Sequence, residues 1–135
     1  MRPTPELFSL TLISLATALM WLPYICARIR TRGLLATLGN PTMGLPQEPA
    51  WAQRARLAHA NAIENLAVFA ALVLTAALTG ISTPATVFAA KLYIVARLAH
   101  YLVYTAGIPV LRTLAFFAGV ASMLIFAFTL IGQLG

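Results

Sequence analysis

Two stretches of this sequence carry side chains able to grip a charged ligand. The first, "RARLAHANAIENLAVF", runs from Arg54 to Phe69 and holds two arginines, a histidine, two asparagines and a glutamate. Successive helical residues are offset by about 100°. Arg54 and Asn61 therefore lie nearly on one line, with Glu64 on the same side. Arg56 and His59 take roughly the opposite face. In the second stretch, "KLYIVARLAHYLVYTAG", Tyr93, Arg97, His100, Tyr101 and Tyr104 recur at helical spacing and form one polar-aromatic stripe, while Lys91 points elsewhere. Beyond them Arg112 follows Pro109, a comfortable helix start. With Arg28 and Arg54 it is expected to make a basic pocket at one membrane face, suited to a small ligand with several carboxylates.

Each of these residues also has a plain structural reading. Tyrosines anchor helices at interfaces. Arg112 can snorkel to headgroups. Glu64 sits about two turns inside an apolar run, where a charge is expensive and needs a partner or a watery cavity. It is the only carboxylate within the apolar runs, so the sequence predicts either a salt bridge to Arg97 or a ligand contact.

The elements that must position these groups are membrane helices. Of the 135 residues 61% are hydrophobic and only 9% charged, whereas soluble domains carry about a quarter charged. Four apolar runs, near 7–27, 57–78, 86–104 and 109–131, approach the roughly 20 residues that cross a bilayer. They are long, rich in Ala and Leu, and not alternating, so they read as helices of one integral-membrane domain spanning 1–135. The first run continues past the small residues Ala16-Thr17-Ala18, so a retained span is expected rather than a cleaved leader. Gly and Pro punctuate the turns at 80–84 and 107–109. The first connection, from about Arg28 to Gln53, is much longer, as functional or disordered loops are. Cys26 is expected to be a packed, inert thiol.

Arginine is concentrated at the first and third connections: Arg28, Arg30, Arg32, Arg54, Arg56 and Arg112. Basic flanks mark the cytoplasmic side, so both termini are expected to face away from the cytoplasm. The net charge of +6 is explained by those flanks, and neither nucleic acid nor a metal is expected as a partner.

These motifs resemble the MAPEG superfamily, the membrane-associated proteins of eicosanoid and glutathione metabolism, in a bacterial-type form. The first stretch is similar to the family signature in register at Arg54, His59, Asn61 and Glu64. "ARLAHYLVYTAGIPVLRT" resembles its third-helix segment at Arg97, His100 and Tyr104, and "ARIRTRG" the basic end of its first helix. The resemblance implies an all-α, left-handed four-helix transmembrane bundle that assembles as a homotrimer. It implies glutathione as co-substrate between adjacent subunits, with Arg28, Asn61, Glu64, His100, Tyr104 and Arg112 lining the site. Arg112 would hold the thiolate, which would attack a lipophilic electrophile or reduce a hydroperoxide arriving from the bilayer. Leu57, Ala60, Thr113 and Phe116 depart from residues common in the family. Two alternatives stand beside this expectation: a non-catalytic trimeric membrane protein of the same fold, and an enzyme using a different thiol.

Overall fold

The computed structural model describes residues 2–135, which form six helices and, among the described residues, no strand. They are α1 (Pro5–Leu19), α2 (Leu22–Arg32), α3 (Leu34–Leu38), α4 (Ala50–Thr79), α5 (Pro84–Ala106) and α6 (Pro109–Leu134). Four stretches are long and apolar enough to cross a membrane: Pro5–Arg32, Ala50–Thr79, Pro84–Ala106 and Pro109–Leu134. Helices satisfy their own backbone groups, which is what a bilayer interior demands.

The first span is broken where the sequence reading has one run. Pro23 has no N–H to offer the Leu19 carbonyl, so α1 stops there and α2 begins. The hydroxyl of Tyr101 donates to the Met20 carbonyl at this break, at 2.9 Å. The later helices overrun their expected limits. In particular α4 starts at Ala50, so Arg54 and Arg56 lie within the span helix rather than ahead of it. The long first connection is also partly ordered, since it contains α3.

Turn chemistry sets the remaining bounds. Thr83 and Thr86 cap α5 reciprocally, with Pro84 just inside the helix. Gly80 and Gly107 end α4 and α5 at φ +72° and +81°, the left-handed region that glycine enters at no steric cost. The N–H groups of Ile81 and Ile108 then return to the carbonyls of Ala76 and Val103 at 2.9 and 3.0 Å, closing each helix.

The bundle packs through small residues and one aromatic cluster. Ala55, Ala58 and Ala62 of α4 and Ala89, Ala90 and Ala96 of α5 are buried, and such residues let membrane helices approach closely. Phe69 stacks on Tyr93 at 3.9 Å between ring centroids, and Phe126 of α6 meets Phe69 edge-on at 6.2 Å. Large apolar side chains such as Phe8, Leu78, Leu102 and Phe128 point outward, as they do where lipid is the solvent.

One buried carboxylate was not foreseen. Glu6 lies inside the first helix rather than ahead of it, and is buried. It accepts hydrogen bonds from Ser82 Oγ at 3.0 and 3.1 Å and from Thr86 Oγ1 at 2.5 Å. These bonds tie the start of α1 to the α4–α5 turn, so Glu64 is not the only carboxylate in the spans.

Candidate functional site

At the opposite end of the bundle the α5–α6 turn, Gly107-Ile108-Pro109, sets Arg112 in the first turn of α6. Its guanidinium carbon lies 4.7 Å from the centre of the Tyr104 ring, within cation–π range. His100 meets Tyr104 edge-on, with centroids 5.5 Å apart. Asn61, His100, Tyr104, Arg112, Thr113 and Phe116 line a cavity of about 230 Å³. Four of the expected site residues, from three different helices, are thus brought together.

Arg97 lies behind this cavity, fully buried. Its Nη2 donates to Asn61 Oδ1 at 2.6 Å. This corrects the expected bridge to Glu64. That residue is exposed on the far side of α4, and the described residues give it no ion pair. Sequence spacing put Asn61 and Glu64 on one side of the helix, but Glu64 is rotated away from the stripe of Ala55, Ala58 and Ala62 that faces the bundle. Because a guanidinium only donates, Asn61 must turn its oxygen toward Arg97. Its NH₂ is left as a donor for the cavity. Nε and Nη1 of Arg97 and Nδ1 of His100 have no hydrogen-bond partner among the described residues. Room for Arg97 comes from Gly119 of α6, where a Cβ would stand 3.3 Å from Arg97 Cδ.

The expected basic pocket of Arg28, Arg54 and Arg112 does not form as one site. Arg54 Nε donates to the Thr105 carbonyl at 3.1 Å and its guanidinium packs against Gly107, serving the α5 terminus. Arg28 lies in a separate cleft of about 320 Å³, lined by Tyr24, Arg28, Arg32, Glu48, Gln53 and Arg56 among others. Both Arg28 and Arg32 pair with Glu48. Burial pushes the Glu48 carboxyl up, but the hydrogen bond from Arg28 and the charges of both arginines outweigh it, leaving it below the ordinary carboxylate value. The sequence reading gave Glu48 no role, because its partners lie 16 and 20 residues earlier.

Of two further placements only the second differs from expectation. Tyr24 hydrogen-bonds His59 Nδ1 at 2.8 Å, which fixes the face of α4 opposite Asn61. Cys26 is exposed on the surface of the chain instead of packed inside it.

The MAPEG family model matches residues 8–132, nearly the whole chain. The chain belongs to the MAPEG family. No curated protein and no solved structure gives a match of its own. As a MAPEG member with four apolar spans, it is an integral membrane protein in contact with the bilayer. The cavity beside Arg112 and the cleft around Glu48 share no lining residue, so this MAPEG chain separates Arg28 from Asn61, His100, Tyr104 and Arg112, while Arg54, Glu64 and Arg97 line neither.

Proposed function

We propose that this MAPEG chain is a subunit of a glutathione-dependent transferase or peroxidase acting on lipophilic electrophiles or hydroperoxides. The observation that carries the reading is the cavity lined by Asn61, His100, Tyr104 and Arg112. Its polar lining is rich in donors: the Asn61 amide freed by Arg97, the Arg112 guanidinium and the hydroxyls of Tyr104 and Thr113. Such a lining suits a ligand rich in carboxylates and carbonyls. Beside it, Phe116 and Phe117 offer apolar surface to a lipophilic second substrate.

In this reading Arg112 is the catalytic residue. A cation near a thiol favours its ionised form, and the thiolate is the nucleophile. The sulfur then bonds to the electrophilic carbon as the leaving group departs with its electron pair. With a hydroperoxide it attacks the outer oxygen: the O–O bond breaks, the alkoxide leaves and takes up a proton from solvent, and the glutathione sulfenic acid so formed condenses with a second glutathione to give the disulfide and water. Tyr104 holds the Arg112 guanidinium over its ring, and Arg97 orients Asn61.

Arg28 faces the other cleft and Glu64 the outer surface. They would serve the same ligand only if it sat between copies, as in a homotrimer. Equilibrium dialysis of glutathione against the detergent-purified protein tests the reading. Binding at millimolar glutathione that Asn61→Asp abolishes is the expected result. No binding favours the other reading, a non-catalytic protein of the same fold whose polar groups hold the bundle together; the Arg97–Asn61 bond is what favours it.

A further inference from the structure

The cleft around Glu48 lies where two spans end. Its walls are α2 from Tyr24 to Arg32, the first turns of α4 and the segment after α3. Three guanidiniums face it, from Arg28, Arg32 and Arg56, against the single carboxylate of Glu48. Two positive charges are therefore left over.

Arg28 and Arg32 are not simple flanking charges. Arg30, exposed on the same helix, is that kind of residue. By contrast the side chains of Arg28 and Arg32 are only 24% and 19% exposed. Glu48 fixes their orientation, and the Pro46 carbonyl accepts from Arg32 Nε at 2.7 Å. Gln53 Nε2 donates to the Glu48 carbonyl at 2.8 Å, which holds the segment to α4. Several guanidinium N–H groups remain open to the cleft, and Arg56 has no partner among the described residues. Preset forks of this kind match the oxygens of a phosphate.

A second observation indicates where the phosphate comes from. Leu35, Leu38 and Met43, all close in sequence to the cleft residues, are 86%, 73% and 101% exposed. Trp51, beside Ala52 of the cleft wall, is also exposed. Apolar side chains and a tryptophan at the end of a span lie at the level of lipid headgroups. A basic cleft between helices at that level is placed to meet a headgroup phosphate.

We propose that this cleft binds the phosphate of an anionic lipid headgroup, with Arg32 and Arg56 as its principal contacts and Glu48 as the internal carboxylate that competes with it for the arginines. The principal contacts are Arg32 and Arg56, neither of which belongs to the proposed glutathione site.

Native mass spectrometry of the protein released from nanodiscs containing equal phosphatidylglycerol and phosphatidylcholine tests this. The wild type is expected to retain phosphatidylglycerol in preference. Arg32→Gln with Arg56→Gln should cut that preference more than about tenfold, two basic contacts having been lost. Glu48→Gln removes the competing negative charge and should increase retention, even though it loosens the segment. A purely architectural cluster would do the reverse, and this arm stands if the double variant fails to fold. Equal retention of both lipids by the wild type, a preference that survives the double variant, or unchanged or weaker retention in Glu48→Gln overturns the proposal. Inorganic phosphate separates the sources. Resistance of the bound lipid to millimolar phosphate supports the headgroup. Displacement of that lipid by phosphate overturns it in favour of a free-phosphate site.

Discussion

Glu6 and Arg97 are both fully buried, and among the described residues neither has an opposite charge beside it. Their surroundings nonetheless differ. Glu6 needs donors, and Ser82 of the α4–α5 turn and Thr86 in the first turn of α5 supply them. Every oxygen of the carboxylate is served, and the cluster joins two ends of the chain. Arg97 needs acceptors and has one, Asn61 Oδ1, with two of its nitrogens left over. A satisfied buried charge reads as architecture. A half-satisfied one, backing onto a donor-lined cavity, reads as part of a site.

The largest effect is expected at the satisfied end. Ser82→Ala with Thr86→Val strips Glu6 of its donors while keeping it buried. Leaving a buried charged group unsatisfied costs more than about 3 kcal/mol, read as a lower melting midpoint in detergent. Adding Glu6→Leu to that double variant should recover much of the loss, because an apolar residue has nothing to satisfy. Failure to recover would mean that the cluster matters through packing alone.

Next comes the pairing of Arg97. A double-mutant cycle with Arg97→Met and Asn61→Leu should give a coupling of about 1–3 kcal/mol. The same cycle between Arg97 and Glu64 should be additive, since no contact joins them. Coupling to Glu64 instead would restore the bridge that the spacing suggested.

A smaller change sharpens the same comparison. Gly119→Ala improves helix propensity by about 1 kcal/mol, yet its methyl would press on Arg97 Cδ from 3.3 Å. Overpacking costs about 1–3 kcal/mol, so the net expectation is a loss of about 1 kcal/mol. Combined with Arg97→Met, the same change should become neutral or stabilising.

The smallest effect belongs to Glu48. Its folded value lies below the ordinary one, so its contribution is complete above the ordinary carboxylate range. It fades as pH falls through the lowered folded value. Limited proteolysis of the segment from residue 39 to 49 should therefore accelerate on acidification, and Glu48→Gln should be equally labile at neutral pH. Identical pH dependence in both proteins would show that Glu48 does not hold the segment.

Much of the fold was legible because its signals are long or local. Four apolar runs and the Gly and Pro turn residues mark spans and connections on their own. What the sequence hid was rotation and reach. Asn61 and Glu64 are three residues apart, and only the buried alanine stripe decides which of them meets Arg97. Arg28, Arg54 and Arg112 share an end of the bundle, but side-chain partners send each elsewhere: Glu48, the Thr105 carbonyl and the Tyr104 ring. Glu6 was hidden because two hydroxyls, 76 and 80 residues later in the chain, make its burial tolerable. The Asn61, His100, Tyr104 and Arg112 group was recoverable, because its members sit on two motifs with helical spacing.

The central claim is that Arg112 stabilises a thiolate, and ultraviolet absorbance tests it most directly. Thiolates absorb where thiols hardly do. Free thiols have a pKa of about 8.5, so titrating glutathione into the wild type near neutral pH should raise a thiolate band that exceeds the free-ligand signal. Arg112→Ala should lose the band while keeping part of the binding, and Arg112→Lys should fall between, having charge without the planar fork. A band of undiminished size in Arg112→Ala, or none in the wild type with glutathione bound, would contradict the account.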